Sequence, residues 1–165
     1  MKRWVGALAF LAFAGEAFAV YDADGVPLGA SEAKVKKRFP SARCKALEWA
    51  SKAADRRCDD GRAVFAGMET RITFYLRKDA VEAFDVRFDV KFTERMASTL
   101  KGRYGKPSAE ERETPDRPDA PPRTLYKLLW EGKGERALFT SLSDKRRASL
   151  LVSRGKFEEE IYRVR

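Results

Sequence analysis

From Arg71 to Arg77, and again from Ala83 to Val90, the chain alternates. Ile72, Phe74 and Leu76 alternate with Arg71, Thr73, Tyr75 and Arg77, and beyond Lys78-Asp79 the residues Phe84, Val86, Phe88 and Val90 alternate with Ala83, Asp85, Arg87 and Asp89. A period of two sends successive side chains to opposite faces of a strand, so the stretch predicts a long hairpin with one apolar and one charged face. The charged face mixes Arg with Asp, which pair across strands. The period then changes. Phe92, Met96, Leu100 and Tyr104 recur every fourth residue, as on one side of a helix, with Thr93 as the expected cap and Gly105 and Pro107 as the stop.

The flanking segments follow the same logic. Positions 20–29 form an extended lead-in with turn chemistry at Asp24-Gly25 and Pro27. Ser31 is the expected N-cap of a first helix, with Glu32 in its first turn, Val35 and Phe39 on one face, and Pro40 as its end. Leu28 is expected to pack back onto its first turns. Strands are expected at about 43–49 and 62–68, with a polar excursion at 51–60 between them. Positions 108–123 are Pro-rich and charged without an apolar period, which predicts a long surface loop. Three short strands are expected at about 124–130, 136–142 and 147–153, with turns at 131–134 and 143–145. The tail from Phe157 fits either a helical turn or an edge strand.

This order, helix and meander followed by helix and meander, predicts an α+β fold: a mainly antiparallel sheet with two helices packed on one face. Two αβ-meander pseudo-repeats are expected at about 28–90 and 91–155, inside a single domain spanning 20–165. The helix ends Lys36-Lys37-Arg38-Phe39-Pro40 and Lys101-Gly102-Arg103-Tyr104-Gly105 carry the similarity.

The N-terminus assigns a compartment. Lys2 and Arg3, an apolar stretch from Trp4 to Ala14, and Ala17-Phe18-Ala19 have the three-part layout of a secretory signal peptide over 1–19, cleaved after Ala19. The stretch is too short to span a bilayer. No cysteine follows it, so no lipid anchor is expected, and the product is expected to be soluble and periplasmic. In that oxidising setting the two cysteines, Cys44 and Cys58, predict one disulfide. It closes a loop of about 15 residues, worth about 3 kcal/mol in the chain-entropy description.

Composition mainly excludes. Charged residues make up 36% and the hydrophobic set 44%, which suits a folded domain. The chain has no histidine, which removes the usual general base near neutral pH, the usual triad member and the commonest zinc ligand. The cysteines are committed to each other, and no phosphate-binding or nucleophile-elbow motif is present. Asp85 and Asp89 share a strand face, but four residues place them about 13 Å apart, too far for a glycosidase pair. Asp22-Ala23-Asp24-Gly25 resembles part of a calcium loop, but Val20 and Ser31 stand where its first and last ligands belong. No catalytic residue, metal or cofactor is therefore expected.

The formal net charge of +9 fits either an anionic partner or an arginine-rich solvated surface without one. Export argues against nucleic acid and leaves envelope proteins and anionic lipid or lipopolysaccharide surfaces. Two basic clusters stand out: Lys34, Lys36, Lys37 and Arg38 on the first helix, and Arg71, Arg77 and Arg87 beside Tyr75 on the charged hairpin face. An arginine and aromatic sheet face suits an acidic partner. At strand positions, Trp49, Tyr126 and Trp130 are expected in the core rather than along a groove.

The run Gly25-Val26-Pro27-Leu28-Gly29-Ala30-Ser31-Glu32-Ala33-Lys34-Val35, closing at Phe39-Pro40, resembles a helix start of the outer-membrane assembly factor family BamE (SmpA/OmlA) and of the related beta-lactamase-inhibitor-protein fold. There a Leu-Gly pair precedes a capped helix ending at Gly or Pro. Tyr104-Gly105-Lys106-Pro107 resembles that family's helix exit. The resemblance implies helices laid on an antiparallel sheet, and protein–protein interaction rather than catalysis. The chain departs from the family in lacking a lipid-bearing cysteine. The resulting expectation is a non-catalytic interaction module with an envelope protein partner, binding through Arg71, Tyr75, Arg77 and Arg87; an anionic lipid surface is the alternative partner.

Overall fold

A computed structural model of the protein describes residues 21–162. The expected signal peptide lies outside the described residues. Eight antiparallel strands form one sheet in the order β3-β4-β5-β6-β10-β9-β8-β7, with a two-stranded ribbon, β1 (Asp22–Ala23) and β2 (Val26–Pro27), beside it. The strands are β3 (Arg43–Ala46), β4 (Arg56–Phe65), β5 (Met68–Arg77), β6 (Ala80–Asp89), β7 (Ala109–Glu113), β8 (Leu125–Gly132), β9 (Glu135–Leu142) and β10 (Arg147–Arg154). Helix α1 (Glu32–Arg38) precedes β3, α2 (Thr93–Tyr104) precedes β7, and a single turn, α3 (Phe157–Glu160), follows β10. The fold is α+β with the antiparallel sheet dominant.

The hairpin read from alternation is present. Phe74 pairs with Phe84 and Ile72 with Val86 on one face, while Thr73 pairs with Asp85 and Arg71 with Arg87 on the other. Lys78 and Asp79 both take positive φ, 50° and 61°, as a two-residue primed turn requires. Asp79 also caps α1, its Oδ1 accepting from Glu32 N at 3.0 Å, next to Ser31 Oγ accepting from Lys34 N at 3.3 Å.

Four expectations need correction. The excursion at 51–60 is shorter, because β4 begins at Arg56. The strand expected at 62–68 belongs to β4 and ends at Phe65, since Ala66 and Gly67 form a turn with φ of 52° and 73°. Part of the loop expected at 108–123 is edge strand β7, paired with β8 through Glu111 to Lys127 and Arg112 to Tyr126. Thr93 does not cap α2. Its hydroxyl donates to Val90 O at 2.7 Å and lies 2.7 Å from Ser141 Oγ, and a 3-10 turn at Val90–Phe92, capped by Asp89, leads into the helix.

One apolar cluster holds most of the core. Val35 of α1, Phe39 at its C-cap, and Met96, Leu100 and Tyr104 of α2 share it with Ile72, Phe74, Val86, Phe139 and Leu150 of the sheet. Tyr126 and Trp130 are buried in it as well, with Trp130 Nε1 donating to Gly105 O at 2.9 Å. A separate cluster forms around Phe157 and Ile161 of the C-terminal turn, with Ala53, Ala54, Ala83, Trp49 and Leu151. Cys44 and Cys58 sit opposite each other on β3 and β4 and are joined as a disulfide. No described helix is long and apolar enough to cross a membrane.

Candidate functional site

Register decides which side chains share the face away from the main core. Across the sheet, Leu129, Leu138, Leu151, Asp85, Thr73 and Asp59 form one continuous rung. The neighbouring rung is Lys127, Thr140, Ser149, Arg87 and Arg71. Because the strand period is two, these residues project to the side opposite Leu128, Phe139, Leu150, Val86 and Ile72.

This face divides into a leucine half and an arginine half. On β8 and β9, Leu125 pairs with Leu142 and Leu129 with Leu138. All four are half-buried, and none belongs to either core cluster. Toward the middle, Arg71 stands directly opposite Arg87, and like charges in direct cross-strand register repel. Arg87 Nε donates to Asp85 Oδ2 at 2.9 Å, while Arg71 and Arg147 make no ion pair among the described residues. With Arg146 they line a depression of about 170 Å³ whose rim also carries Glu69 and Asp89.

A larger cleft of about 500 Å³ opens where the C-terminal turn rises from the sheet. Its floor includes Leu138, Thr140, Ser149 and Leu151, and Phe157, Ile161 and Tyr162 form a wall. That wall is held by Trp49 Nε1 donating to Ile161 O at 2.8 Å and by Ser51 Oγ donating to Glu160 O at 3.1 Å. Tyr75 packs against Phe157 with ring centroids 5.3 Å apart. Burial, reinforced by the nearby Tyr162 and Asp85, pushes the Tyr75 hydroxyl up to about 12, so it remains a donor at neutral pH. Burial also raises the Asp85 carboxyl above the usual carboxylate range, against the opposing hydrogen bond from Arg87.

Of the residues singled out from sequence, Arg71, Tyr75 and Arg87 meet beside Asp85 on this face. Arg77 is placed elsewhere, in a depression with Glu82, Lys133 and Arg154. The first-helix cluster is partly neutralised: Lys36 pairs with Glu32 at 2.7 Å and Arg38 with Asp24 at 3.5 Å. The leucine half and Arg147 were not singled out. Their signal was present in the alternation of β8 to β10, but both faces there carry leucines, so the pattern does not say which row is left uncovered.

The only metal-type grouping among the described residues is Glu32 with Cys44 and Cys58, whose sulfurs are bonded to each other. Comparison with protein-family models, curated proteins and solved structures gave no match for this chain.

Proposed function

We propose that the protein is an exported, soluble, non-catalytic interaction module of the cell envelope, which docks another protein on the leucine and arginine face of its sheet. The observation that carries this reading is the set of four half-buried leucines, Leu125, Leu129, Leu138 and Leu142, that no core cluster uses, beside Arg71 and Arg147, which make no ion pair among the described residues. An apolar patch rimmed by charge is the usual composition of a docking surface. Export and a periplasmic setting rest on the leader pattern, and the Cys44–Cys58 disulfide agrees with them. The two helices are read as lying on the opposite face, the layout implied by the BamE-like resemblance, and the two helix-plus-meander repeats are read from the order of the elements.

The test is capture from envelope extract of the native host at low and at high salt, with the chain beginning at Val20 as bait. A discrete protein retained at high salt by the wild type and lost with Leu125→Asp supports the reading. Equal retention by the variant overturns it.

A second reading is favoured by the opposed Arg71 and Arg87 with Arg146 and Arg147 nearby: binding of anionic envelope lipid or lipopolysaccharide. It predicts retention of lipid only at low salt, because screening weakens exposed charge contacts.

A further inference from the structure

We infer that the cleft under the C-terminal turn is an anchoring pocket for an apolar residue bearing a free carboxylate and an amide N–H, such as the last residue of a peptide. The inference rests on the docking reading above and names the chemical group by which a partner is held.

Charge comes first. Asp85 and Arg87 cancel each other at 2.9 Å, and Glu158 is paired with Arg136 at 3.6 Å. Arg147 is the remaining charge on the cleft wall, exposed and without an ion pair among the described residues. The opposite position on β6, Asp89, accepts from Lys91 N at 3.0 Å, and its other oxygen faces Lys91 Nζ at 3.9 Å. The cleft therefore favours a guest with one negative charge, and a guanidinium holds a carboxylate through two parallel hydrogen bonds.

The polar and apolar groups are spatially sorted. Thr140 and Ser149 face each other on one rung, and Leu138 and Leu151 on the next. Adjacent same-face rungs lie about 6.6 Å apart. The hydroxyls and Arg147 thus sit at one end, and the leucines with Phe157 and Ile161 at the other. A guest whose carboxylate and side chain branch from the same carbon spans that separation. Leucine-lined walls supply its apolar contact without reaching into the main core.

A third group completes the match. Glu158 lines the cleft, and its Oε1 is buried without a hydrogen-bond partner. Oε1 is covered in the free protein and its ion-pair partner Arg136 also keeps an unpaired buried Nε, so an amide N–H from the guest satisfies that oxygen by drawing Glu158 toward the cleft. Volume agrees: about 500 Å³ is within the range of small-ligand pockets.

The probe is N-acetyl-L-phenylalanine, which carries all three groups, titrated into the disulfide-intact protein and followed by amide NMR shifts. Saturable shifts at Leu138, Ser149 and Arg147 are expected, with a Kd of about 1 mM for a ligand of this size. N-acetyl-L-phenylalaninamide, which lacks the carboxylate, should bind about tenfold more weakly, and Arg147→Gln should weaken the acid by a similar factor with an unchanged Tm. Absence of saturable shifts, equal binding of acid and amide, or wild-type affinity in Arg147→Gln each overturns the inference. Its failure separates from failure of the docking reading. A partner captured and then lost with Leu125→Asp, in a protein that ignores the probe, leaves docking standing without the pocket. Probe binding with no captured partner leaves the pocket standing without docking.

Discussion

Asp24 carries more structure than its place in a turn indicates. Its carboxylate accepts from Arg103 of α2, pairs with Arg38 of α1 at 3.5 Å, and accepts from Ala66 N in the β4–β5 turn at 3.2 Å. One largely buried side chain thus ties the lead-in ribbon to both helices and a hairpin end. Asp24→Ala should cost about 2–3 kcal/mol, because several charge-assisted hydrogen bonds lose their shared acceptor. Urea unfolding measures this, and a loss within error of zero would refute the role.

Two other carboxylates oppose each other in pH dependence. Hydrogen bonds from Arg56 and Lys36 hold Glu32 below the ordinary carboxylate range, so its stabilisation is present above its unfolded value and is lost as pH falls through the folded one. Asp85 is shifted the other way by burial, so its penalty exists above its folded value and is relieved as pH falls through it. Denaturant unfolding at about pH 7 and about pH 3.5 should therefore show a smaller acid loss for Glu32→Gln than for wild type, and a larger one for Asp85→Asn.

At the scale of elements, the sheet margin depends on the Cys44–Cys58 link. Strand β3 has four residues, pairs in the sheet only with β4, and contributes half-buried Cys44 to the main core. Replacing both cysteines with alanine should lower stability by about 3 kcal/mol on the loop-closure argument, read as a drop in Tm that reductant reproduces in the wild type. The C-terminal turn is equally specific. Phe157→Ala should cost about 3 kcal/mol and open the second cluster to a hydrophobic dye, whereas an unchanged dye signal would mean that the turn does not cover that face.

The elements also show where local pattern suffices. Strands β5 and β6 were legible because residues 72–76 and 84–88 each keep one parity on the main-core face, although a bulge between Tyr75 and Leu76 brings Val81, of the other parity, onto that face as well. Strand β4 was not, because the register shifts between Asp60 and Ala63 and moves the buried set from Cys58 and Asp60 to Ala63 and Phe65. Strand β7, Ala-Glu-Glu-Arg-Glu, has a single small apolar residue at its start and no apolar period to read. It exists through pairing with β8 and through contacts such as Arg112 over the Tyr126 ring at 4.0 Å.

Over the whole molecule, the seam between β6 and β10 joins the two meanders, pairing Val86 with Leu150 and Asp85 with Leu151. Such sequence-distant pairing slows folding, so refolding in the range of about milliseconds to seconds is expected by stopped flow. Leu150→Ala, fully buried at that seam, should cost about 3 kcal/mol. Both sheet margins, β3 and β7, are short and charged, which discourages edge-to-edge association.

By itself the sequence determined the class of fold, the central hairpin, the positions of α1 and α2 and the disulfide partners. These follow from period, capping and residue chemistry within a few positions of each other. Only the tertiary structure decided the strand order, the β4 bulge, the edge strand β7 and the make-up of the uncovered face. It placed Arg71 opposite Arg87, brought Arg147 beside them and sent Arg77 elsewhere. The physical reason is that alternation fixes which residues share a strand face, whereas neighbours across strands depend on a register and a seam set by residues far apart in the chain.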